Sequence, residues 1–116
     1  KKLLELVDLL SLSRVSRFAY VDEMRKDREQ AVITLVLWEG WWRDVMIVSA
    51  GTDNVDISNV DYKNEVNKVA SQVSTANIAS TISAIRNTQQ ALNKNANARL
   101  ALEVLMLQIP TINPIT

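Results

Sequence analysis

The scarcity of helix-breaking residues limits this fold more than any other feature of the sequence. The chain of 116 residues contains two glycines and two prolines, far below average usage, so tight β-hairpins and glycine-rich phosphate loops have few places to form. Between Arg28 and Ala50 the only residue of either type is Gly40. The sequence therefore predicts a chain that is mostly α-helical.

Apolar side chains recur at helical spacing along most of the chain. Ile78, Ile82 and Ile85, for example, fall on one stripe of a helix whose other positions are polar. Each predicted helix after the first is preceded by a residue suited to N-capping. These candidate caps are Ser11 or Ser13, Asp27, Asp61, Ser74, and Asn95 or Asn97. The fold class is predicted to be all-α, an antiparallel bundle of five or six helices.

The same patterns divide the chain into three parts. Residues 1–12 form a leucine-rich helix that we interpret as the tail of an inter-domain linker helix, residues 13–110 form the helical domain, and residues 111–116 form a C-terminal tail. The chain opens with Lys1 and lacks a signal-peptide pattern, so we expect a piece excised from a longer protein. No stretch is apolar and long enough to cross a bilayer, and we expect a cytoplasmic location.

Composition excludes most familiar chemistry. Histidine and cysteine are absent, which removes thiol nucleophiles, histidine general bases and zinc sites built from these ligands. The 13 basic and 13 acidic residues cancel, so bulk charge gives no basic face for nucleic acid. The phosphate-binding motif G-x-x-x-x-G-K-[ST] is also missing. The sequence predicts no catalytic residue, no cofactor and no metal site, and therefore a domain that is not an enzyme.

The predicted exposure of charged residues follows from their position beside the apolar stripes. In the helix that ends near Lys26, we expect Arg17 to face water. In the next helix the residues from Val32 to Trp38 are apolar nearly all round, which predicts burial on several sides. Glu39 and Arg43, at the favourable i,i+4 spacing, mark the stripe expected to face water.

The three tryptophans are the basis of one hypothesis about function, an alternative to the family resemblance described below. Trp38 and Trp42 are predicted to pack inside the bundle, with Trp41 at a groove or partner surface. Exposed aromatic rings can also stack on single-stranded bases when a basic groove accompanies them. A helical adaptor or single-stranded-DNA-binding module that uses Trp38, Trp41 and Trp42 is therefore kept as the second function class.

The last predicted helix carries more apolar surface than one bundle usually covers. Between Ala98 and Ile109 only Arg99, Glu103 and Gln108 are polar. Periodicity leaves two alternatives open: either the helix is central in the bundle, or its outer side is covered by another chain.

Three segments resemble a known family. The stretch NANARLALEVLMLQIP resembles the closing segment of clamp-loader subunits of bacterial DNA polymerase III, in which an asparagine-bounded turn precedes Arg-Leu-Ala-Leu-Glu, leucines and proline. WWRDVMIVSAG resembles that family's aromatic-Arg-Asp stretch leading to glycine, and SNVD resembles its entry to the next helix. Among these subunits the delta-prime type is the most similar, ahead of gamma/tau.

The resemblance implies a collar domain that joins subunits side by side. The implied partners are the other loader subunits, gamma/tau and delta, with DNA contacted only indirectly through the complex. A ring requires two different faces on each domain. We expect the first face to contain Leu102, Met106 and Ile109. We expect the second face, which is more polar and more hydrated, to contain Asn77, Thr81 and Arg86. Arg43 and Asp44 are expected to form a structural polar pair that braces a loop.

Overall fold

Helices account for the regular structure of the described chain. The computed structural model describes residues 6, 8–10, 12–51 and 63–112, and these residues contain no strand. Leu6 and residues 8–10 are helical and precede the first complete helix. The five complete helices are α1 (Arg14–Met24), α2 (Arg28–Ser49), α3 (Lys63–Gln72), α4 (Thr75–Asn93) and α5 (Ala98–Gln108). The prediction of an all-α bundle of five or six helices is confirmed.

Side-chain caps fix where four of these helices begin. Each capping oxygen accepts a hydrogen bond from the backbone N–H three residues later, which satisfies a donor that the helix itself leaves unpaired. The four caps are Ser13, Asp27, Ser74 and Asn97, with oxygen to nitrogen distances of 3.3, 3.1, 3.1 and 3.0 Å. All four were among the caps expected from the sequence. The predicted cap Asp61 lies outside the described residues.

A left-handed residue ends α4. Asn95 has φ 60°, the Ala96 N–H donates to the Ala91 carbonyl at 3.0 Å, and the Asn95 N–H donates to the Leu92 carbonyl at 3.3 Å. These two bonds form a Schellman motif, which turns the chain sharply into α5. Arg28 reinforces the turn from α2, since its guanidinium donates to the carbonyls of Leu92 and Ala96 at 2.7 Å each.

The core lies around α2 and α4. Helix α2 packs against α4 and α3, α4 packs against α5, and α1 packs against α5 and α2. Leu35, Trp38 and Val45 of α2 have no exposed surface. The side chains of Leu6, Leu9 and Leu10 join the same core, so this part of the predicted linker helix packs on the bundle. The interpretation of residues 1–12 as a linker tail stays a prediction.

The predicted environment of Arg17 is wrong. The side chain is 2% exposed, because its guanidinium lies between the end of the N-terminal helical residues and the end of α5 and donates to backbone carbonyls of both. The prediction assumed that a charged side chain beside the apolar stripe turns to water.

Among the described residues, no helix is both long and apolar enough to span a membrane.

Candidate subunit interface

The residues expected to form the first apolar face lie in the core. Leu102, Met106 and Ile109 are 0, 1 and 3% exposed within the single chain. With Leu105 they occupy the stripe of α5 that faces the bundle, at the spacing of a buried helix face. The expectation that they contact another subunit is therefore wrong, since side chains enclosed by their own chain offer no surface to a partner.

The opposite side of α5 carries an exposed apolar stripe. Leu100, Val104 and Leu107 are 60, 46 and 51% exposed, and their i, i+4, i+7 spacing places them on one helix face. We call these three residues the α5 stripe. The alternative of a fully central helix is wrong, because α5 has one face in the core and exposed apolar surface on the other. That another chain covers the outer side stays a prediction.

Helix α2 carries a second exposed apolar group. Ile33, Val36 and Leu37 are partly exposed at i, i+3, i+4 spacing. The predicted burial of this part of α2 on several sides is therefore wrong, since neighbouring helices cover only one side of it. A groove of about 500 Å³ lies beside Ile33 and reaches across to Leu92 at the end of α4.

The predicted polar face of α4 is only partly at the surface. Thr81 is 1% exposed, and its hydroxyl donates to the Asn77 carbonyl one turn earlier at 2.8 Å, so its assignment to a subunit surface is wrong. A threonine that satisfies its hydroxyl within its own helix can face the core. The side chains of Asn77 and Arg86 are exposed, and their contact with a partner stays a prediction.

A polar cluster around Glu39 joins α2 to α4. Arg86 Nε lies 2.9 Å from Glu39 Oε2, and Arg43 Nε lies 3.7 Å from the same oxygen. Gln89 also donates to Glu39, at 3.3 Å. Glu39 and Arg43 form the ion pair that their i,i+4 spacing favours. The expectation that both face water is wrong for Glu39, whose side chain is only 14% exposed because α4 covers it. Arg43 is exposed and Asp44 is buried, and their role as one bracing pair stays a prediction.

The tryptophans offer no stacking surface. Trp38, Trp41 and Trp42 each have 0% exposure, so burial is confirmed for Trp38 and Trp42 and the expected surface position of Trp41 is wrong. Trp41 packs edge-on against Trp42 with ring centroids 5.3 Å apart. Base stacking requires an accessible ring face, and the described structure removes that support from the DNA-binding alternative.

These features define a class of protein: a helical bundle domain that retains uncovered apolar helix surface, as subunits of assemblies do. A family model described as DNA polymerase III, delta subunit, C terminal matches residues 1–111. The chain belongs to this family and is a non-catalytic C-terminal domain of a DNA polymerase III clamp-loader subunit. No curated protein and no solved structure gives a significant match.

Proposed function

We propose that this chain is the collar, or oligomerisation, domain of a delta-prime-like clamp-loader subunit. It packs side by side with the gamma/tau and delta subunits, and the resulting complex loads the sliding clamp on primed DNA. Membership in the family supports an association with other subunits of the DNA polymerase III complex. The resemblance of the closing segment of the chain supports the delta-prime type. DNA is contacted by the complex, not by this domain.

The α5 stripe is the observation that carries the proposal. Its three side chains are aliphatic and lie on one face, and the neighbouring charges neutralise each other, since Arg99 Nε pairs with Glu103 Oε2 at 3.2 Å. An interface core is typically depleted of unpaired charge and rich in apolar side chains. The stripe therefore replaces the buried residues as the surface that a partner covers.

The free energy available at the stripe is sufficient to matter for assembly. Full burial of a leucine or valine contributes about 1.5–3 kcal/mol, and each stripe residue is roughly half exposed, so covering the three contributes about 3 kcal/mol in total. That free energy corresponds to a change of about a hundredfold in dissociation constant. Loss of this free energy should weaken a subunit contact measurably without changing the packing of the core.

A charge-insertion experiment tests this surface. The double variant Leu100→Asp, Leu107→Asp is expected to keep its helical circular dichroism but to lose co-assembly with gamma/tau and delta in size-exclusion chromatography. Val15→Asp is the matched control, since Val15 is 80% exposed on α1, and it should assemble normally. A folded double variant that assembles with unchanged affinity would contradict the proposal, as would a double variant that unfolds.

Reconstitution tests the delta-prime assignment separately. When isolated domains compete for places in a loader, this chain should displace the C-terminal domain of delta-prime and leave gamma/tau in position. Displacement of gamma/tau or of delta instead would overturn that assignment while leaving the collar function intact.

A further inference from the structure

One buried guanidinium joins the two ends of the described chain. Arg17 donates five hydrogen bonds to backbone carbonyls. The acceptors are Leu9 at 3.2 Å, Leu10 at 3.2 Å, Met106 at 2.9 Å, Ile109 at 2.7 Å and Pro110 at 2.8 Å. An arginine side chain has five N–H donors in a planar fork, so these bonds use all of them. We call this arrangement the Arg17 clasp.

The acceptors of the clasp come from two helix ends. Leu9 and Leu10 close the helical residues 8–10, and Met106 and Ile109 lie at the end of α5. The carbonyls of a final helical turn lack partners in their own helix, and the end carries partial negative charge. Two such ends repel unless a cation lies between them. The Ile112 N–H adds a direct bond to the Leu10 carbonyl at 3.0 Å.

We propose that the Arg17 clasp makes the N-terminal segment (residues 6, 8–10 and 12) and the C-terminal segment (residues 105–112, the end of α5 and the residues that follow it) one cooperative unit. This unit opens and closes separately from the core formed by α2 and α4. Neither end can leave alone, because its departure exposes donors of the guanidinium and leaves the other end's carbonyls beside an incompletely bonded cation.

The clasp has a consequence for assembly that rests on the proposed function. The α5 stripe belongs to the same helix whose end the clasp holds. If a partner stabilises α5, thermodynamic linkage requires that it also stabilise the N-terminal segment. The clasp therefore transmits partner binding on α5 to the segment that precedes α1.

Native-state hydrogen exchange of the unaltered 116-residue chain tests the unit directly. Exchange is followed at increasing urea for the backbone amides of Leu12, Ile109 and Ile112, each of which donates a hydrogen bond. The expected result is one common opening free energy and one urea dependence for all three, distinct from the amides of α2 and α4. Different urea dependences for Leu12 and Ile109, or merging of all three with the core, would overturn the proposal.

Arg17→Lys separates geometry from charge. Lysine keeps the positive charge but has three donors on one atom and cannot reach five acceptors. Exchange at Leu12 and Ile109 should rise together by at least about tenfold, while α2 and α4 change little. Arg25→Lys is the control, because Arg25 is an exposed arginine at the opposite end of α1. An equal rise at every amide overturns the proposal, and if Arg17→Lys does not fold, the urea series on the unaltered chain decides.

Addition of the gamma/tau or delta subunit tests whether partner binding on α5 affects the N-terminal segment, and it does so separately from the proposed function. Binding that slows exchange at Leu12 supports the transmission, and binding that protects α5 without affecting Leu12 refutes it. If no partner binds, the collar function fails, and the urea series still decides whether the clasp is one unit.

Discussion

Two leucines on α5, two residues apart, provide the sharpest test of the orientation of this helix. Leu102 is 0% exposed and Leu100 is 60% exposed. Leu102→Ala and Leu100→Ala make the same chemical change in the same helix, so any change in helix propensity is shared. The difference between the two variants therefore reports burial alone.

The expected magnitudes differ several-fold. Replacing a fully buried leucine by alanine removes transfer free energy and leaves a cavity, which lowers the free energy of unfolding by about 2–5 kcal/mol. At Leu100 most of the side chain is already in water, and the expected loss is below about 1 kcal/mol. A domain of this size has a total stability of about 5–15 kcal/mol, so Leu102→Ala should remove a large fraction of it while the chain remains folded.

Urea denaturation followed by far-UV circular dichroism measures both values. With a urea dependence of about 1.5 kcal/mol per molar, a loss of about 3 kcal/mol lowers the midpoint by about 2 M, whereas Leu100→Ala should shift it by less than about 0.7 M. Equal losses, or a larger loss at Leu100, would mean that α5 is rotated relative to the core. The α5 stripe would then not be the exposed face of the helix, and a partner could not bind there as proposed.

Three further predictions concern Arg28, the left-handed residue Asn95 and the tryptophans. Arg28→Met removes two charged donors from the end of α4 and should cost about 1–3 kcal/mol in the same urea assay; an unchanged midpoint would show that the turn does not need them. Asn95→Gly should be tolerated and Asn95→Ala should cost about 1 kcal/mol, because alanine is strained at positive φ, and the reverse order would contradict the left-handed conformation. Single-stranded oligonucleotide should leave the fluorescence of Trp38, Trp41 and Trp42 unchanged at low salt, whereas salt-dependent quenching would restore the DNA-binding alternative.

Helix starts could be read from the sequence because capping is a local interaction. A serine, aspartate or asparagine needs only the N–H three residues ahead to act as a cap, and Asp27 and Asn97 do so in the structure. The Asn95 turn follows from similarly local bonds. These features depend on neighbours within one turn, and sequence patterns record such neighbours directly.

The orientation of α5 was predicted wrongly although the sequence contains a signal for it. Apolar residues surround the helix almost completely, so hydrophobicity alone gives no clear direction. Arg99 and Glu103, one turn apart, form an ion pair at the surface and mark the outer side. Leu107 lies one turn beyond Glu103 on the same side, with Leu100 and Val104 adjacent. Reading outward from the charged pair would have identified the exposed stripe.

The arginine contacts could not be predicted, because their acceptors are backbone carbonyls far along the chain. The Met106 carbonyl lies 89 residues from Arg17, and the Leu92 carbonyl lies 64 residues from Arg28. Every residue has a carbonyl, so no side-chain pattern marks these acceptors. Only the tertiary fold brings two helix ends to Arg17 and makes a buried arginine favourable.

Under the proposed collar function, α5 has to pack on the core and bind a partner, and a helix that is apolar nearly all round can do both. The stripe containing Leu102 and Met106 holds the helix on the core, while Leu100 and Val104 remain available on the other side. Because the two faces share no residue, substitutions on the outer face should alter association without unfolding the bundle. A plain amphipathic helix would supply the first role but not the second. The excess of leucine in α5 is thus explained by two separate surfaces, of which only one is covered by the chain itself.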